Sequence, residues 1–323
     1  MTRRFAYRLL LFAALLVAVN FILDKAFKSF SVHILLNKMM DRQFAEYDGR
    51  LSYLTMGNSH NCINTYILEN SFNYGSPGES YIQTYYKLKY ILEKSGRKPS
   101  VLLLQSDISS FGPVISDRYE YNAYWIKYID FFELARIKKN NDVMLNWLEG
   151  HFFSYAGNYK DVKLSIVYRI KFKNFFMHNG YRPRREYKNF ADEPDRQKVA
   201  WDKARRVLSE EVHFDPDIKI YFEKILQLCQ DHDVKVVLIR FPEAWEYFEE
   251  QAAIVPVDKL YGEVEELASG FGIYNGILDY HDLFFEHPEY FFDADHLNGK
   301  GADLLSERLA ADLRASGSLF LSE

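Results

Sequence analysis

Apolar runs too short for ordinary helices recur along this chain, separated by longer stretches whose apolar residues repeat at helical spacing. Five of the runs read as strands: residues 51–56 (LSYLTM), 71–75 (SFNYG), 100–105 (SVLLLQ), 234–241 (VKVVLIRF) and 272–280 (GIYNGILDY). They are nearly continuous in apolar character rather than alternating, which is the pattern of parallel strands covered on both faces. Between them lie helical patterns at 80–96, 215–232, 256–272 and 298–316. Gly96 suits the position just past a helix end. Asp215 and Pro216 read as N-cap and first helical residue. Strands alternating with helices predict the α/β class, a five-stranded parallel sheet with helices against its faces.

No comparable strand lies between Ser106 and His213. A structureless loop of that length is unusual in a domain, so residues 108–213 are read as a mostly helical insertion capping the sheet. Helical patterning is clearest at 119–141, and the run at 151–190 is rich in Lys, Arg and aromatic residues. Those side chains suit an anionic or sugar-like ligand, or else they pack the cap and form its solvated face.

The amino terminus has a different pattern. Arg3, Arg4 and Arg8 precede residues 9–23, where Asn20 is the single polar residue, and the helical pattern continues to about residue 42. Counted from Phe5 with Arg8 snorkelling, the run reaches the length a spanning helix needs, about 17–25 residues. No small-residue cleavage site follows it, so it is read as an uncleaved signal anchor. The arginines place its start in the cytoplasm. The expected division is therefore residues 1–47 for the cytoplasmic end, anchor and connecting helix, and 48–323 for a domain outside the cytoplasm.

Composition narrows this only a little. A net charge of −5 and a pI near 6.0 give no reason to expect nucleic acid as a partner. Two cysteines, Cys62 and Cys229, exclude a disulfide framework and a cysteine-rich zinc site, and both are read as free buried thiols. The high content of Phe (26) and Tyr (24) suggests aromatic surfaces facing a membrane, a partner or a sugar.

The candidate chemistry sits where parallel sheets bind ligands, beyond the carboxyl ends of the strands. GNSH (residues 57–60) follows the first strand, NYGSPGES (73–80) the second, and FFDADHLNGKG (291–301) the fifth. In DADH, a carboxylate three residues before a histidine in a turn can hold imidazole Nδ1 while Nε2 faces a hydroxyl. That is the orienting logic of acyl transfer through a serine. Ser59 is the candidate nucleophile, His296 the base and Asp293 its orienting carboxylate. Asn58 and His60 are assigned to support of the loop. Asp295 and His281 could join His296 around a metal ion, but no ligand spacing supports this and no metal is expected.

These segments resemble the SGNH (GDSL-like) hydrolase superfamily, and within it the membrane-anchored branch. That branch includes bacterial envelope O-acylation proteins and the D-alanine transfer protein of teichoic acid modification. The resemblance spans residues 48–314, interrupted by the insertion, and DADHLNGKGADLL is its most specific piece. It implies a three-layer, flavodoxin-like α/β/α sandwich. It also implies an acyl-Ser59 intermediate, and an oxyanion hole formed by the Ser59 and Gly78 N–H groups. The third block departs from the pattern: in LLQSDISS, Ser106 stands where an Asn is usual and Asp107 where an Asp is usual. This departure favours the acyltransferase-like branch.

The expected function is a membrane-anchored O-acyltransferase that needs no cofactor and modifies a cell-envelope or exported polysaccharide. Acyl-CoA is not available outside the membrane, so a multispanning acyltransferase partner would hand the acyl group across. The same triad would serve an esterase of the acylated glycan or lipid. A non-catalytic envelope scaffold using the aromatic surface is the third alternative.

Overall fold

The computed structural model describes residues 3–113, 126–137, 143–155, 162–163, 165–167, 177–182, 189–208 and 214–316. They group into two compact units, one within Met1–Asp41 and Tyr119–Phe175, the other within Arg42–Arg118 and Phe176–Glu323.

In the first unit, helix α1 (Arg3–Phe30) is long and apolar enough to cross a membrane. Its most apolar 18-residue window has a mean hydropathy of 2.2 and contains no buried residue. The expected uninterrupted helix breaks at Ser31, where a second helix, α2 (Val32–Glu46), begins. The Ser31 hydroxyl accepts the Ile34 N–H at 3.2 Å, so the break is a serine cap. Two polar residues in the second half of α1 find partners within this unit. Asp24 pairs with Lys28 at 2.7 Å and accepts the Ser154 N–H, while Asn20 donates to the Phe152 carbonyl. Short helices form at Phe131–Ile137 and Val143–Phe152, within the segment read as an insertion. The remainder of 119–141 and most of 151–190 lie outside the described residues.

In the second unit all five expected strands form: β1 (Tyr53–Met56), β2 (Ser71–Asn73), β3 (Val101–Gln105), β4 (Lys235–Arg240) and β5 (Tyr274–Asp279). They pair in parallel in the order β2-β1-β3-β4-β5. Leu54, Leu102 and Val236 are in register across three strands. Val101 and Val237, on the opposite pleat, are buried as completely as Leu102 and Val236. Because successive strand side chains point to opposite faces, burial on both faces is what makes these runs continuously apolar.

The helices of this unit are α3 (Tyr81–Lys94), α4 (Arg196–Val207), α5 (Pro216–Asp231), α6 (Trp245–Ile254), α7 (Val257–Ser269) and α8 (Gly299–Ala315). Their ends follow from local chemistry. Asp215 accepts the N–H groups of Asp217 and Ile218 ahead of α5, and Gly96 takes φ +68° just beyond α3. Val101, Leu103, Val237 and Ile239 pack with Leu260 of α7 and with Leu305 and Leu309 of α8 in one buried cluster. Cys229 is buried and Cys62 half-buried, and the two are not bridged.

A pair of very short strands, β6 (Phe291–Asp293) and β7 (His296–Leu297), forms an antiparallel hairpin immediately before α8. The sequence predicts only a turn there.

Candidate active site

Strand β1 ends at Met56, and the chain bends at once through Gly57, which has φ +150°. A Cβ at this position would stand 2.5 Å from both Cβ and Oε1 of Gln105 at the end of β3. Glycine therefore lets the two strand ends close on each other. The closure is sealed by hydrogen bonds. Asn58 N–H donates to Gln105 Oε1 at 2.7 Å, and Gln105 Nε2 donates to Asn58 Oδ1 at 2.7 Å. Ser59, next along, lines a cleft of about 400 Å³.

The hairpin supplies the partners. In its register Asp293 lies directly opposite His296, across a turn made by Ala294 and Asp295. Cross-strand neighbours on such a ladder face each other at contact distance. Asp293 Oδ1 accepts from His296 Nδ1 at 2.7 Å, and His296 Nε2 lies 2.8 Å from Ser59 Oγ. With the proton on Nδ1, Nε2 is left to accept the serine hydroxyl's hydrogen. The three residues singled out in the sequence thus stand in one hydrogen-bonded line, with Ser59 and His296 separated by 237 positions in the chain. The spacing of the two DADH residues is converted by a hairpin, not by the turn into a helix that the sequence predicts. Asn298 caps α8 directly afterwards, accepting from Gly301 N–H at 3.0 Å.

A second polar network lies beneath the first. His60 Nδ1 is 2.7 Å from Asp107 Oδ2, and its Nε2 is 3.2 Å from Asp295 Oδ2. Burial alone would push the His60 imidazole down, but the Asp295 and Asp107 carboxylates outweigh this and raise it to about 10. His60 is accordingly a fixed cation at neutral pH, with its ring edge-to-face against His296 at 4.8 Å between centroids.

Lys203 of α4 reaches the same hairpin. Its Nζ is 2.5 Å from Asp295 Oδ1 and 3.5 Å from Asp293 Oδ2. Asp295 Oδ1 also lies 2.9 Å from His296 Nδ1, a close polar contact that is not aligned as a hydrogen bond. Burial by itself would raise the Asp295 carboxyl, yet His296, His60 and Lys203 hold it well below the usual carboxylate range.

The ligating atoms of His60, Asp295 and His296 fall within 4.8 Å of one another, the spacing a metal ion could use. Each is already engaged, however, and the Lys203 ammonium on Asp295 occupies the position a cation would compete for. His281, the other residue considered for a metal, bonds Asp279 instead.

Gly78 also lines the cleft, with φ +73°. Its loop is pinned from below by Glu79 and Lys87, an ion pair whose side chains are each 1% exposed. Lys87 also donates to the Tyr74 carbonyl at 2.5 Å, and Glu79 accepts from Thr84 Oγ1 at 2.8 Å.

Ser106, at the third-block position, offers the cleft no donor among the described residues. It is fully buried, its hydroxyl has no partner, and it does not line the cleft. Asp107 is structural: besides His60 it accepts from Gln105 Nε2 at 2.6 Å and from Phe241 N–H at 2.8 Å, tying three strand ends together.

Neither the protein-family models nor the curated proteins contain a match to this chain. The geometry therefore stands by itself. It adds Lys203, and the structural use of Asp295 and Asp107, to the residues read from sequence. One signal was available for Lys203: Val199, Lys203 and Val207 recur at four-residue spacing and all line the cleft.

Proposed function

We propose that this protein transfers acyl groups through Ser59, as a membrane-anchored O-acyltransferase of the cell envelope. The observation that carries the reading is the continuous line from Ser59 Oγ through His296 to Asp293, with contacts of 2.8 and 2.7 Å. In the reaction, Ser59 Oγ attacks an acyl carbonyl carbon and its proton passes to His296 Nε2. The carbonyl electron pair moves to oxygen, where the N–H groups of Ser59 and Gly78 receive it. Collapse of the tetrahedral species expels the donor's alkoxide, which takes the proton from His296. An acceptor hydroxyl then repeats the sequence in reverse and leaves with the acyl group.

The finer reading of the fold belongs with this proposal. The order β2-β1-β3-β4-β5 and the burial of both sheet faces support a flavodoxin-like, three-layer sandwich of the SGNH kind. Helix α1 supports a single-pass anchor, and the arginines at its start favour a cytoplasmic amino terminus with the remaining chain outside. A glycan is the acceptor class in this reading, and a multispanning membrane protein is the donor-side partner. No cofactor is needed by this chemistry.

The test uses the full chain in nanodiscs, wild type and Ser59→Ala, given an aryl acetate with and without oligosaccharide acceptors. Phenol release and intact mass are followed. A Ser59-dependent acetyl adduct discharged faster by sugar than by water supports transfer. Discharge by water alone makes the protein an esterase, and no adduct in either chain leaves a scaffold.

A further inference from the structure

Charge that develops on the carbonyl oxygen needs donors that already face it and have no other obligation. The cleft offers few side chains that qualify. Asn58 Nδ2 is committed to Ser110 Oγ at 3.2 Å, and both His60 nitrogens are committed to carboxylates. Lys203 is held by Asp295 and Asp293. Arg206 lines the cleft but is exposed, where water weakens what a charge can contribute.

Among the described residues that line the cleft, one hydroxyl besides that of Ser59 remains. Ser109, in the single 3-10 turn Ile108–Phe111 after β3, is 6% exposed and lines the cleft together with Ser59 and Gly78. Its hydroxyl makes no hydrogen bond to any described residue, so its proton is free to turn toward the cleft. Its turn is anchored on both sides, by Asp107 with its bonds to His60 and Phe241, and by Ser110 with its bonds to Asn58 and Gln105. The position of Ser109 is thereby fixed while its own side chain stays uncommitted.

We infer that Ser109 is a further catalytic residue, whose hydroxyl donates to the oxyanion of the tetrahedral species formed on Ser59. The inference rests on Ser59 being the nucleophile. It gives the site a side-chain donor from the segment after β3, where the sequence carries Ser106 in place of the usual Asn. No bond to Ser109 is made or broken: it donates a hydrogen bond as negative charge builds on oxygen and keeps its proton when the acyl-serine forms.

The experiment measures the pre-steady-state acylation of the full chain in nanodiscs by an aryl acetate, in wild type, Ser109→Ala, Ser109→Cys and Ser106→Ala. Loss of one oxyanion donor is expected to slow acylation by about 10²-fold in Ser109→Ala, through kcat and with little change in KM. Ser109→Cys keeps the side-chain volume with a weak donor and should fall between the two, giving the answer if the alanine variant does not fold. Ser106→Ala should match wild type. Acylation of Ser109→Ala or Ser109→Cys at the wild-type rate would overturn the role of Ser109 while leaving Ser59 in place. Absence of any Ser59 adduct in the wild type would instead overturn the nucleophile, and this inference with it.

Discussion

Lys203 Nζ meets Asp295 Oδ1 at 2.5 Å, joining a helix of the long segment between β3 and β4 to the hairpin that carries the candidate base. Both side chains are largely withdrawn from water, at 16% and 4% exposure. Removing Lys203 leaves the buried Asp295 carboxylate short of one of the cations that hold it, with His60 still beside it. Lys203→Met should therefore destabilise the fold by about 3 kcal/mol and slow Ser59 acylation as the hairpin loosens. Lys203→Arg should restore most of both. Urea unfolding and acylation rates on the two variants decide this, and a methionine variant equal to wild type in both would remove Lys203 from the site.

The orienting role of Asp293 makes a sharper demand. Asp293→Asn keeps the size of the side chain but offers an amide to His296 Nδ1, which favours the wrong tautomer. Acylation should fall by about 10²–10⁴-fold with unfolding unchanged within error. A rate within about threefold of wild type would mean that Asp295, at 2.9 Å from the same nitrogen, can take over.

Beneath the Gly78 loop, Glu79 and Lys87 should be worth little as a pair and much as individuals. Lys87→Met alone leaves a carboxylate 1% exposed and should cost about 3–5 kcal/mol in denaturant unfolding. The double change Glu79→Leu with Lys87→Met should recover most of that loss. If it does not, the bonds of Lys87 to the Tyr74 carbonyl and of Glu79 to Thr84 are what hold the loop.

His60 gives the fold a pH dependence with a definite sign. Its folded value of about 10 lies above the ordinary 6.5. The protonated form is thus favoured by folding, and the stabilisation is complete below about pH 6.5. It is lost as pH rises through that window toward 10. The stability gap between wild type and His60→Gln should accordingly be widest near pH 6 and narrow steadily on the alkaline side. A gap that stays constant from about pH 6 to 10 would show that His60 is not held as a cation.

The strands and most helix ends were legible because their causes are local. Leu102 and Val101 are both apolar since both faces of β3 are covered, and Asp215 with Pro216 marks the start of α5 whatever packs on it. Ser59, Asp293 and His296 were legible as residue types in the right loops. What could not be read depends on packing between distant segments. Strands β6 and β7 span three and two residues, too short for an alternating pattern to register against its surroundings. Ser31 interrupts a helical pattern with a residue whose propensity cost is small, so the break is visible only once its hydroxyl is seen capping α2. Lys203 shares a helix face with Val199 and Val207, but that spacing does not say what the face covers until α4 is placed over the cleft. Ser106 and Ser109 differ by one turn of backbone, and only the path after β3 tells which of them opens on the cleft.

The hairpin follows every strand of the sheet in the chain, and only α8 is described beyond it. During synthesis Ser59 therefore emerges before β2 to β5, and its hydrogen-bond partner His296 only after them. A chain still being made, or one cut short before residue 291, carries Ser59 without the histidine that its hydroxyl meets in the folded protein. Under the proposed reaction, the order of the polypeptide is a safety catch: the candidate nucleophile gains its base only after every strand of the sheet has been made.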